Sequence, residues 1–71
     1  MAEKIKINRV KSILVEKDIS QKDLAAKVKR TATTITRICN NESQPTLKLL
    51  REIAIVLDVD IRELLVSTKG Q

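Results

Sequence analysis

Small polar residues recur along this sequence, each placed just before apolar residues that share one face of a helix. The side-chain oxygen of such a residue accepts a hydrogen bond from a free N–H group in the first helical turn, so the residue marks where a helix begins. The candidate cap residues are Asn8, Ser20, Thr31, Thr46 and Asp60. They predict five short helices separated by turns, and therefore an all-α fold.

The first two helices are predicted at residues 8–17 and from Ser20 onward. Ser20-Gln21-Lys22-Asp23 has the form of a capping box, in which the cap and the third helical residue bond each other's backbone. Apolar residues at helical spacing then predict the buried face of each helix. These residues are Val10, Ile13 and Leu14 in the first helix, and Leu24, Ala25 and Val28 in the second.

The third helix is predicted from Thr31 to Asn40, with Ile35 and Ile38 on one face. Four threonines make this segment rich in β-branched residues, which lose side-chain freedom in a helix. Propensity alone would also allow a strand, so tertiary packing must decide between the two.

Residues 40–45 have the composition of a loop, and they lead to a fourth helix capped by Thr46. Asp60-Ile61-Arg62-Glu63 repeats the capping-box form, so a fifth helix is predicted to end near Val66. The residues predicted to face inward from the fourth helix are Leu47, Leu50, Ala54 and Leu57.

The charge and the aromatic content limit the kinds of partner. Fourteen Lys and Arg against nine Asp and Glu give a net charge of +5, which favours an anionic partner such as nucleic acid or an acidic membrane. The chain has no Phe, Tyr or Trp, so it lacks the stacking surfaces on which single-strand binders hold bases. Duplex DNA is therefore the favoured polyanion. A membrane-surface helix is disfavoured because each apolar stripe has a partner helix to cover.

The remaining composition predicts a single cytoplasmic domain without catalysis. With no His and only Cys39, the chain cannot form a Cys/His zinc site or an intramolecular disulfide, and no metal or cofactor is expected. The carboxylates and lysines show no spacing typical of catalysis, so an enzyme is not expected. No apolar run is long enough for a membrane span. The 71 residues suffice for one domain, predicted at 6–66, with a short tail at 67–71.

Several landmarks together resemble the lambdoid-repressor-like Xre/Cro/cI family of helix-turn-helix proteins over Lys6 to Val66. They are Ile7-Asn8-Arg9-Val10, Ser20-Gln21-Lys22-Asp23-Leu24-Ala25, Thr34-Ile35-Thr36-Arg37-Ile38, Pro45-Thr46-Leu47 and Ile61-Arg62-Glu63-Leu64-Leu65. The resemblance implies a five-helix bundle in which the third helix enters the major groove of DNA, while the second lies across the phosphate backbone. The helix-turn-helix itself would span Ser20 to Asn40.

The resemblance also implies contact residues. The positions that meet base edges are Ala32, Thr33, Thr36 and Arg37, and the family's phosphate positions are occupied by Gln21 and Asn40. On electrostatic grounds, Lys22 and Arg30 are also expected at phosphates. A guanidinium such as that of Arg37 can bridge guanine O6 and N7, and Ala32 or Thr33 can meet a thymine methyl group. The structural alternatives are that Arg37 pairs with Glu42 at the surface and that Lys22 is a solvated surface charge.

The chain departs from the family at two sets of positions. Leu14 and Cys39 stand where the family often has an arginine and a glutamate that pair, so we predict that these two side chains contact each other as a packed apolar pair. Glycines common in the family's turns are replaced by Asp18, Lys29, Asn41 and Asp58. Asn and Asp tolerate a left-handed backbone, but Lys is less suited to it.

These observations predict a transcriptional regulator that binds a short, palindromic operator as a homodimer. Val15, Leu49 and Ile55 are apolar residues that the core does not obviously need. If they cluster with Ile61, Leu65 or Val66, they would form the dimer patch. The alternative is a protein-interaction module of the same fold, such as an antitoxin that masks a toxin.

Overall fold

The computed structural model describes residues 6–66, which form four α-helices followed by one turn of 3₁₀ helix. The α-helices are α1 (Val10–Glu16), α2 (Gln21–Lys27), α3 (Ala32–Cys39) and α4 (Leu47–Leu57), and the 3₁₀ helix is Ile61–Leu64. The all-α prediction is confirmed, and the predicted tail at 67–71 lies outside the described residues.

The predicted fifth α-helix is wrong, because the segment after Asp60 makes a single 3₁₀ turn. The turn stops at Leu65, whose backbone is extended (φ −111°, ψ 147°). Residues 65 and 66 instead pair with the N-terminal segment: the Val66 N–H donates to the Ile7 carbonyl at 2.8 Å, and the Arg9 N–H donates to the Leu64 carbonyl at 2.7 Å. This antiparallel bridge uses backbone groups that a longer helix would need for itself.

Four of the five predicted caps are confirmed. The hydroxyls of Ser20, Thr31 and Thr46 accept the N–H of the residue three positions later, at 3.0, 3.1 and 3.1 Å. Asp60 and Glu63 form the predicted capping box, in which the Asp60 N–H donates to the Glu63 carboxylate at 2.9 Å. Local polar chemistry therefore sets the start of α2, α3, α4 and the 3₁₀ helix.

The predicted start of the first helix is wrong. Arg9 holds the N-cap position and makes no side-chain cap bond, so α1 is shorter than the predicted 8–17. Asn8 is only 4% exposed, and its amide group donates to the Ile38 carbonyl and to the Gln44 side chain, both at 2.9 Å. Asn8 therefore joins the start of α1 to the end of α3, while its side-chain oxygen accepts the Val10 N–H at 3.2 Å.

A single apolar core lies between the helices and contains most of the residues predicted for it. Ile35 and Ile38 are 0% and 1% exposed, so packing holds the threonine-rich segment as a helix. Burying such a side chain contributes about 1.5–3 kcal/mol, which outweighs the propensity cost. The core residues are Val10, Ile13, Leu14, Leu24, Ala25, Val28, Ile35, Ile38, Cys39, Leu49, Leu50, Ile53, Ala54, Leu57 and Leu64.

Two predictions about α4 are wrong. Leu47 is 79% exposed, although it was predicted to face inward, and Leu49 is 6% exposed, although the core did not obviously need it. The buried positions of α4 are 49, 50, 53, 54 and 57, which form one helical stripe. Leu47 is the first residue of α4 and lies at the edge of that stripe, where it stays exposed. Apolar spacing therefore identified the helix and most of its buried face, but not which residues at its start are covered.

All four α-helices end in the same type of turn. Asp18, Lys29, Asn41 and Asp58 have φ of 56–57°, and these are the positions where the sequence lacks the expected glycines. At α2, the Lys29 N–H donates to the Ala26 carbonyl at 3.3 Å and the Arg30 N–H donates to the Ala25 carbonyl at 2.9 Å. This pair of bonds is the Schellman motif, and the other three helices repeat it.

We expect Lys29→Gly to stabilise the protein by about 1 kcal/mol, because glycine adopts a left-handed backbone without the steric cost borne by a Cβ atom. Chemical denaturation in urea measures the change. Asp58→Gly is the matched control, and we expect a smaller gain there since aspartate tolerates this conformation better. Equal or reversed effects at the two positions would contradict this explanation.

Leu14 and Cys39 are 2% and 5% exposed in the same core, which agrees with a packing role for both.

The direct contact between the Leu14 and Cys39 side chains stays a prediction, and a double-mutant cycle tests it. Leu14→Ala should cost about 2–5 kcal/mol of unfolding free energy, and Cys39→Ala less. If the side chains touch, the double variant should deviate from the sum by at least about 0.5 kcal/mol in urea denaturation. Simple additivity would argue against the contact.

Candidate nucleic-acid interface

The helix pair α2 and α3 packs together and leaves one face of α3 open to solvent. The buried face of α3 carries Ile35, Ile38 and Cys39. Its exposed side carries Thr33, Thr36, Arg37 and Asn40, at spacings of three and four residues, and we call this set the α3 stripe. The helix-turn-helix predicted from Ser20 to Asn40 is present, with its two caps at Ser20 and Thr31.

All four predicted base-contact residues lie on this open side. Thr33, Thr36 and Arg37 belong to the α3 stripe, and Ala32 is exposed in the first turn of the helix. Their side chains are short except for Arg37, so the helix backbone can approach another surface closely. Arg37 is the longest donor on the stripe and carries a permanent positive charge.

A hydrogen bond that the sequence did not reveal connects the two helices. The Thr36 hydroxyl donates to the Gln21 side-chain carbonyl at 2.9 Å. Since that oxygen is held by α3, the Gln21 amide N–H groups are the donors that the side chain offers to an anion. The pair is fifteen residues apart, and no local pattern links a glutamine at the start of one helix to a threonine within the next.

The other three predicted phosphate contacts lie in three different places. Lys22 is exposed beside Gln21 in the first turn of α2, and Asn40 is exposed at the C-terminal end of the α3 stripe. Arg30 lies elsewhere: its guanidinium bonds the carbonyls of Val28 and Lys29 at 3.4 Å. It lines an open cleft of about 370 Å³ with residues of α2 and α4, so the structure does not group it with the α3 stripe.

Cys39 is the last residue on the buried face of α3. Burial raises the pKa of its thiol, an effect that the nearby positive charge of Lys11 partly offsets. The thiol is therefore protonated at neutral pH, which fits a packed apolar residue better than a reactive one.

A family model described as helix-turn-helix matches residues 10–64, from the start of α1 to the end of the 3₁₀ helix. The chain belongs to the Xre/lambda-repressor-type helix-turn-helix family. A comparison with curated proteins gives no match. Within residues 6–66, no helix of this family member has the length and apolarity needed to cross a membrane.

Two solved structures are similar to this helix-turn-helix chain. The first is a candidate DNA-binding protein from Bacteroides fragilis, with 39% identity and a TM-score of 0.84 over 87% of this chain and 100% of that one. The second is the N-terminal DNA-binding domain of SinR from Bacillus subtilis, with 28% identity and a TM-score of 0.72 over 89% of this chain and 91% of that one.

Proposed function

We propose that this helix-turn-helix chain binds double-stranded DNA and acts as a repressor-like transcriptional regulator, with α3 in the major groove. The α3 stripe is the observation that carries the proposal, because it is an exposed polar face of a helix whose other side is locked into the core. A net charge of +5 and two structural relatives named for DNA binding support it. The role is one of binding rather than catalysis, and it suits a cytoplasmic location.

Within this proposal the contacts have different tasks. Arg37 reads guanine through two parallel hydrogen bonds, while Ala32 and Thr33 meet thymine methyl groups. Gln21, Lys22 and Asn40 hold phosphates. Thr36 was expected at base edges, but its bond to Gln21 favours a positioning role that fixes the phosphate donor relative to α3. Arg30 has the weakest support, since it lies in the cleft beside α4.

A homodimer is part of the proposal. Leu49 is buried and drops out of the suggested patch, whereas Ile55 and Leu65 are 61% and 39% exposed and Ile61 is half-buried. Val15 is also exposed, at 73%. A two-fold dimer would present two α3 stripes to half-sites about 34 Å apart. The antitoxin alternative is not favoured, because both structural relatives are named for DNA binding.

Selection of bound sequences from a random duplex library tests the proposal. We expect a split, symmetric motif whose halves are about 10 base pairs apart, since each subunit reads one half-site. An unenriched library would refute sequence-specific binding. A single unrepeated half-site, together with a monomer mass in sedimentation at micromolar concentration, would refute the dimer.

Arg37→Ala and Gln21→Ala should weaken DNA binding in different ways. Losing a base-reading arginine should cost about 1–3 kcal/mol and relax the preference at one base pair. Losing a phosphate donor should weaken binding to every duplex alike. Binding constants for the selected duplex and for its single-base variants measure both effects. If Arg37→Ala weakens binding to all these duplexes equally, Arg37 does not read a base. If Gln21→Ala changes the base preference, Gln21 does not act as a phosphate contact.

A further inference from the structure

An open cleft of about 320 Å³ lies between the start of α1 and the end of α3, and we call it the α1–α3 cleft. Three cations line it: Lys6, Arg9 and Lys11. Its other polar lining residues are Asn8, Ser12, Asn40 and Asn41. Among the described residues that line this cleft none is acidic, so its electrostatic potential favours an anion.

Hydrogen bonds fix the segment that carries these cations against the end of α3. The Asn41 side-chain oxygen accepts the N–H groups of Ile7 and Asn8 at 2.9 and 3.0 Å, and the Asn41 amide donates to the Asn8 carbonyl at 3.2 Å. The buried Asn8 side chain bonds the Ile38 carbonyl at 2.9 Å. The backbone bearing Lys6 and Arg9 therefore has a defined position relative to α3.

The cleft adjoins the α3 stripe, because Asn40 belongs to both. Lys11 is close enough to α3 for its charge to act on the Cys39 thiol. Gln21 approaches the same helix from α2, through its bond with Thr36. The α3 stripe thus has a polar donor on one flank and a set of cations at its C-terminal end.

We propose that the α1–α3 cleft binds the phosphate backbone of the duplex that α3 reads, with Lys6, Arg9 and Lys11 as the cations that neutralise it. This inference rests on the proposed DNA-binding function and adds three cations to the backbone contacts proposed at Gln21, Lys22 and Asn40. The three cations are exposed and spread along an open cleft, an arrangement that suits a run of phosphates better than one enclosed anion. A major groove has phosphate backbones on both sides, so a helix within it can be held from two sides.

The salt dependence of binding tests the cleft. We expect Arg9→Ala/Lys11→Ala to reduce the slope of log affinity against log salt by about 0.9 for each cation, or about 1.8 in total. Between 50 and 200 mM salt this amounts to about a tenfold smaller loss of affinity. Fluorescence anisotropy with a mixed-sequence duplex of about 20 base pairs measures the slope, and thermal melting verifies that the variant folds.

Arg51→Ala/Arg62→Ala is the matched control, since it removes the same net charge from exposed residues outside the cleft. The proposal requires the control variant to keep the wild-type slope of log affinity against log salt. The charge-preserving variant Arg9→Lys/Lys11→Arg should also show the wild-type slope. Equal slopes for the two alanine variants would overturn the proposed phosphate binding by the α1–α3 cleft, while leaving the proposed DNA binding intact. A wild-type chain that binds no duplex at any salt concentration would overturn the proposed function itself.

Discussion

The burial of one face of α3 is the constraint on which the rest of the structure depends. Ile35 and Ile38 are almost fully removed from solvent, and their burial holds a threonine-rich segment in a helical conformation. Once that face is fixed, helical geometry places Thr33, Thr36 and Arg37 on the opposite side. The same packing that stabilises the fold therefore also orients the residues proposed to meet DNA. A short helix with weak intrinsic propensity is sufficient because the core, and not the segment itself, supplies the stability.

The helix ends give the bundle its second constraint. Each α-helix stops in a left-handed residue with the same two backbone bonds, although none of these residues is glycine. Asp18, Asn41 and Asp58 suit that conformation better than Lys29 does. Lys29 lies in the turn between α2 and α3, so the steric cost is borne within the helix-turn-helix itself. The turn persists because the Schellman bonds and the buried Val28 hold the backbone there.

Asn8 and Asn41 show where local reasoning fails. Asn8 has the residue type of a helix cap and stands at the right spacing, yet it is buried and bonded across the molecule to the end of α3. Asn41 was predicted only as a turn residue, but its side chain also holds the N-terminal segment in place. Both roles depend on partners thirty or more residues away in sequence. Only the folded chain brings those partners within reach.

The sequence by itself determined the all-α class, four of the helix starts and the exposed side of α3, because caps and apolar spacing act over a few residues. The tertiary structure decided which of Leu47 and Leu49 is buried, the single 3₁₀ turn in place of a fifth helix, the bond from Thr36 to Gln21 and the grouping of cations around Asn40. Each of these depends on contacts between distant segments. The helix-turn-helix could therefore be predicted from the sequence, whereas the surfaces beside it could not.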